Sequence, residues 1–210
     1  MSHHQFEEVI ETEAELQNIL GIPSEVVFNK AITIIDKHCE TFIQHSPFIT
    51  IASVHANGTV DVSPKGDPAG FVKVLDDKTL AIPDRLGNRR ADTFKNILSK
   101  PQVGILFMIP GIRETLRVNG KAQIITDLAI REQLAHKGKI PQLVLIVHVE
   151  EAFMHCSKCM IRSKLWEEQE ANIRTKIPSL ATILKDHAVI DAPVEQLDDY
   201  LKKGERERLY

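Results

Sequence analysis

The chain has 210 residues, 43% hydrophobic and 26% charged, which suits one domain with terminal additions. Its net charge of −3 argues against a general nucleic-acid or membrane-surface binder, so any anion site must be a local cluster of Lys and Arg. There is no run of about 18 apolar residues, no apolar signal core after the N-terminal Met1-Ser2-His3-His4-Gln5, and only three cysteines; together these predict a cytoplasmic protein with no membrane span and no disulfide framework.

Residues 6–37 have helical spacing, with Phe6, Val9, Ile10, Ala14 and Leu16 recurring. Gly21-Ile22-Pro23 breaks the pattern, and Ser24 is placed to cap a second helix carrying Val26, Val27, Ala31, Ile34 and Ile35. After Pro47 the texture turns to strand over 48–54. Asn57-Gly58 predicts a type I′ hairpin turn, which needs positive φ at both positions, and 59–63 returns. Residues 71–75 and 79–82 read as two strands about Asp76-Asp77. Asn88 is placed to cap a helix to Leu98, with Ala91, Phe94, Ile97 and Leu98 on one face, and Pro101 stops it. The apolar run 103–109 predicts a strand buried on both sides, and Pro110-Gly111 is a turn. Residues 115–126 predict a long strand interrupted by Gly120. Asp127 caps a helix ending near Gly138, and 143–149 is a buried strand. The polar tail holds short helices at 179–187 and 194–203.

Strands mostly follow strands through turns, so the expected sheet is largely antiparallel. The expected class is mostly β with α: a barrel with helices packed outside it. The division is a helical extension at 1–40, a barrel domain at 41–170, and a helical tail at 171–210 that packs on the barrel.

Four segments hold candidate chemistry. Residues 82–90 join a strand to a helix start. Free N–H groups there attract anions, and Arg89 and Arg90 add planar donors suited to phosphate. On composition alone, a capped helix with solvated arginines explains this segment slightly better. Residues 63–70 hold two prolines and two glycines, a fixed loop from which Lys65 could reach an anion. A plain rigid turn is the simpler account. In 113–121, alternation puts Thr115 and Arg117 on one strand face and Val118 on the other, which fits a polar pocket or an exposed face. In 155–166, Cys156 and Cys159 lack the further ligands a zinc site needs, so neither metal nor redox chemistry is expected. Lys158, Arg162 and Trp166 recur every four residues, which on a helix would offer two cations and the only tryptophan to a flat anionic ligand.

Residues 71–93, then Asn96-Ile97, Pro101, Phe107-Met108-Ile109-Pro110-Gly111, Leu116-Arg117-Val118-Asn119-Gly120-Lys121 and Arg162-Ser163-Lys164-Leu165-Trp166, resemble the pyridoxamine 5'-phosphate oxidase-like flavoproteins. The resemblance spans roughly residues 40–170. It implies an FMN-binding split β-barrel homodimer with two FMN sites at the subunit interface. It implies that Asp84, Asn88, Arg89 and Arg90 lie at the FMN phosphate, and that Ser63, Lys65, Thr115 and Arg117 lie near the ribityl chain or ring. Lys158, Arg162, Ser163 and Trp166 would close the site, from either subunit. The implied activity is FMN-dependent oxidoreduction of a small molecule, with no catalytic residue identified. The alternative is a non-enzymatic module for flavin, haem or a deazaflavin. Pyridoxamine 5'-phosphate oxidases carry an Arg-x-His pair where this chain reads Arg162-Ser163-Lys164, which argues against synthesis of pyridoxal phosphate.

Overall fold

A computed structural model describes residues 6–168, 170 and 172–210. Residues 1–5 of the expected extension lie outside them. Helices α1 (Glu13–Leu20), α2 (Glu25–Asn29) and α3 (Lys37–His45) precede strands β1 (Phe48–Val54), β2 (Val60–Gly66), β3 (Lys73–Asp76) and β4 (Thr79–Pro83). Helix α4 (Asp92–Ser99), strands β5 (Gln102–Met108) and β6 (Thr115–Ile125), helix α5 (Leu128–Gln133) and strand β7 (Val144–His155) follow. Helices α6 (Lys158–Ser163), α7 (Ile173–Lys176), α8 (Leu180–His187) and α9 (Val194–Glu207) complete the chain.

The strands form one antiparallel sheet in the order β2-β1-β5-β6-β7-β4-β3, the split β-barrel the sequence leads one to expect. Alternation decides what it buries. Ile49 and Ile51 of β1, Ile105 and Phe107 of β5, and Leu116 and Val118 of β6 all point inward and are buried. Each such side chain contributes roughly 1.5–3 kcal/mol of transfer free energy. The link between β2 and β3 adds Phe71 and Val72 to the same core. Strand β7 is buried on both sides along its first half, because Val144 and Ile146 pack under α5 while Leu145 and Val147 join the main core.

Several local expectations change. Residues 30–36 are not helical. Ile32 pairs with Ala152 beside β7, and Asp36 caps α3 by accepting from the His38 and Cys39 amides. That helix sends Cys39 and Ile43 into the core, and burial pushes the Cys39 thiol up to about 11. The β1–β2 turn is not type I′. Gly58 alone has positive φ, His55 and Thr59 close the loop, and Asn57 Oδ1 accepts from the Thr59 amide at 3.0 Å. A three-residue loop ending in left-handed glycine fits the strand twist as well. Strand β5 is buried on one face, not two. Leu98 is 78% exposed, so α4 turns Thr93, Asn96 and Ile97 inward instead.

Candidate functional site

Two groups of the expected site residues form, and the pairing registers place them on opposite faces of the sheet. Ser63 and Lys65 lie in rows with Ile51 and Ile49, on the face that carries the core. Arg117 lies in the row Pro64–Thr50–Leu106–Arg117–Phe153, on the face turned away from it.

The first group surrounds the start of α4. Between β4 and α4 the backbone takes the left-handed region at two residues other than glycine, Arg89 (φ 60) and Ala91 (φ 58). Each costs about 1–2 kcal/mol, so the surrounding structure must hold the turn in place. Asn88 does not cap the helix. Its Oδ1 accepts from the Arg90 amide at 2.9 Å, and Ala91 stands at the cap position with no side-chain acceptor. The first-turn amides of α4 are thus left without a capping side chain, and such amides favour anions. Thr93 Oγ1 donates to Ser63 Oγ at 3.0 Å, and Asn96 Nδ2 donates to Ser53 Oγ at 2.9 Å, which ties this helix end to β1 and β2. Lys65 follows Ser63 on the same strand face and acts on Asp84 electrostatically. Burial holds the Asp84 carboxyl above its ordinary range, against the opposing pull of Lys65 and Arg85. Arg90 is paired with Asp92 through its Nε.

Arg85 belongs to a different network. Its Nε donates to Asp67 Oδ2 at 2.6 Å and its Nη2 to the Leu134 carbonyl at 3.0 Å. Asp67 also accepts from the Tyr210 hydroxyl at 2.7 Å, a bond that pushes the phenol pKa up. Tyr210 packs on His136 and lines a cleft with Asp84, Arg85 and Pro141.

The second group centres on the Phe153 ring. The Arg117 guanidinium lies 4.9 Å from the ring centroid, Lys30 Nζ lies 4.4 Å from it, and the His155 ring meets it edge-on at 5.0 Å. Glu151 Oε1 accepts from Arg117 Nη2 at 2.6 Å and from Asn119 Nδ2 at 3.0 Å. Among the described residues no acceptor meets the buried Arg117 Nε, which leaves one donor of a cation unmatched. Thr115 is buried beside His155 in the pairing register. Burial, then the Arg117 and Lys30 charges, lowers the His155 pKa, so its imidazole is neutral at pH 7. The Lys158 amide, with the Lys158 and Lys30 charges, lowers the Cys156 thiol.

Lys158 and Arg162 stand on α6, but that helix ends at Lys164, which has φ 51. Trp166 therefore shares no helical face with them. Its indole N–H donates to the Ile112 carbonyl at 2.8 Å, and Ser163 Oγ donates to the Met160 carbonyl at 3.2 Å. Lys30, Glu151, Phe153 and His155 were not among the expected site residues. Alternation over 151–155 is the signal that would have put the last three on one face; nothing in the local sequence points to Lys30. Among the described residues no cluster of three or more His, Cys, Asp or Glu could hold a metal, and no helix is long and apolar enough to cross a membrane.

Solved structures similar to this chain include HupZ of Group A Streptococcus, at 24% identity over 57% of this chain and 93% of that one, with a TM-score of 0.48. A candidate pyridoxamine 5'-phosphate oxidase of Lactobacillus delbrueckii matches at 20% identity over 58% and 95%, with a TM-score of 0.47. An FMN-binding protein of Syntrophomonas wolfei matches at 16% identity over 69% and 96%, with a TM-score of 0.41. No curated protein matches the chain. Residues 35–156, more than half of the sequence, match the pyridoxamine 5'-phosphate oxidase family, and the chain belongs to that family.

Proposed function

We propose that this protein binds flavin mononucleotide at a site completed by a second copy of the chain, and uses it to oxidise or reduce a small molecule. The supporting observation is the pair of basic groups on opposite faces of one sheet. One copy cannot turn both toward one ligand across its own core; two copies can. The phosphate would lie at the uncapped start of α4, held by its amides with Asn88, Arg89 and Arg90. Arg90 would exchange the Asp92 carboxylate for phosphate. Ser63, Lys65 and Asp84 would meet the ribityl chain, Asp84 as an acceptor for hydroxyls.

Thr115 and Arg117 of the second copy would face the ring, with Lys158, Arg162, Ser163 and Trp166 at its margin. The unmatched Nε of Arg117 suits an acceptor atom on that ring edge. Bound flavin supplies the hydride chemistry, and the protein supplies position and electrostatics. Lys65 or Arg117 near the ring would stabilise negative charge that develops on reduction.

The absorption spectrum of the purified protein, before and after adding FMN, tests this reading. Flavin bands that follow the protein support it. A colourless protein that leaves added FMN free ends it. A Soret band would replace flavin by haem, with the neutral His155 the side chain to test as ligand. Oxidation of NAD(P)H or another donor by the flavin-loaded protein separates an enzyme from a binding module.

A further inference from the structure

The N-terminal segment leaves its apolar surface uncovered. Helices α1 and α2 bury no residue. Leu20 is 73% exposed, Ile22 80% and Phe28 62%. An isolated helix of this length is marginal in water, and apolar side chains this exposed lie together on monomeric proteins only rarely. Yet α1 is locally specified. Thr12 and Glu15 form a reciprocal capping box, with the Thr12 amide donating to Glu15 Oε2 at 3.0 Å and the Glu15 amide to Thr12 Oγ1 at 3.2 Å. A formed helix with a bare apolar surface is built to be covered.

Charge identifies what covers it. The segment carries Glu7, Glu8, Glu11, Glu13, Glu15 and Glu25, and neither Lys nor Arg before Lys30. Among the described residues none of these glutamates is in an ion pair. Such a segment is repelled by anionic lipid. The surface it suits is apolar and cationic, which describes Phe153 with Lys30 over its ring, the nearby Lys158, and Arg162 four residues further along α6 on the same helix face; Arg117 there is already paired with Glu151. The segment is rooted at that surface, through Ile32 paired with Ala152 at 3.0 and 2.7 Å and Lys30 on the Phe153 ring. An arm that starts beside a surface complementary to itself satisfies both at once in a two-fold pair, each arm covering the other copy.

We propose that residues 6–29 form a docking arm that crosses to a second copy of this chain and packs its acidic apolar helices on the basic surface about Phe153, Lys158 and Arg162. The arm shares with the flavin reading the second copy and the cations Lys158 and Arg162, which that reading sets at the ring margin, but its contacts need no flavin.

Two charge-reversed full-length variants test it. One carries Glu7→Lys, Glu8→Lys, Glu11→Lys and Glu25→Lys, which leave the Thr12–Glu15 cap of α1 intact and make the arm net positive. The other carries Lys158→Glu and Arg162→Glu. Sedimentation velocity over a dilution series, at low ionic strength and without flavin, should show each variant associating roughly tenfold more weakly than the parent. An equal mixture of the two should recover the parental association, because every arm then meets a surface of opposite sign on the other chain. That recovery also shows that both variants fold. A mixture no tighter than its components would mean that the arm lies on its own copy, and would overturn the proposal. Parental association by either variant alone would overturn it too. A protein that passes this test and stays colourless with FMN loses the flavin reading alone.

Discussion

Arg89 and Arg90 enter the proposed phosphate site from different starting points. Arg90 must leave Asp92, whereas Arg89 is held by its own left-handed backbone. Replacing both by Ala should weaken FMN binding by about 2–5 kcal/mol, taking roughly 1.5–3 per charge-assisted hydrogen bond and less than additive behaviour. Quenching of flavin fluorescence measures it, and unchanged affinity would put the phosphate elsewhere. Asp84 makes a second prediction, in pH. Burial raises its pKa in the folded chain, so the folded state holds the proton more tightly than the unfolded one. Stability therefore falls as pH rises above the ordinary Asp value of about 4, until the folded carboxyl has ionised, and stays reduced beyond that. Asp84→Asn should raise the thermal midpoint at pH 7, and the gain should fade as pH drops toward the Asp value. A variant less stable at pH 7 would show that the attraction of Lys65 and Arg85 outweighs burial.

Strand β6 carries the sharpest test at the scale of an element. Its pairing with β7 shifts between Asn119 and Gly120, and a Cβ at Gly120 would stand 2.1 Å from the His148 carbonyl oxygen. That atom is backbone and cannot swing aside. Gly120→Ala should cost about 1–3 kcal/mol or more in urea denaturation, as overpacking does; an unchanged midpoint would mean that the bulge tolerates a side chain. The sequence showed Gly120 as an interruption because a glycine inside an alternating strand is a local signal. Asp127 was legible as a helix cap for the same reason, and it does accept from the Ala129 and Ile130 amides. Asn88 looked equivalent and was not, because its side chain closes a turn onto Arg90 instead. The apolar run at 31–35 looked helical, yet its conformation is set by Ala152, far away in the chain. The site was legible to the same depth. Alternation correctly grouped Thr115 with Arg117, whereas Ser63 and Lys65, read as part of a fixed loop, lie on β2, which runs on to Gly66. Which face each pair takes depends on strand register, and register is fixed by non-local pairing.

At the scale of the whole molecule, the face that carries Arg117 also carries Leu106 in the same pairing row and Val62, 60% exposed, in the next. An apolar sheet face of this kind is a natural surface for a second copy. If flavin needs both copies, association and flavin binding are linked equilibria, and each must strengthen the other. FMN should then lower the concentration at which the protein dissociates, and dilution should weaken apparent FMN affinity. Val62→Lys and Leu106→Lys should each favour the monomer by burying charge in the contact. Val62→Lys should do so with little loss of stability, since that side chain is exposed in the single chain. Either variant should lose FMN affinity by more than tenfold, about 1.4 kcal/mol, although Arg89 and Arg90 are untouched. Sedimentation and flavin titration on the same samples separate the outcomes. If a monomeric variant keeps the parental affinity, one copy holds the flavin by itself, and Thr115 and Arg117 have no part in that site.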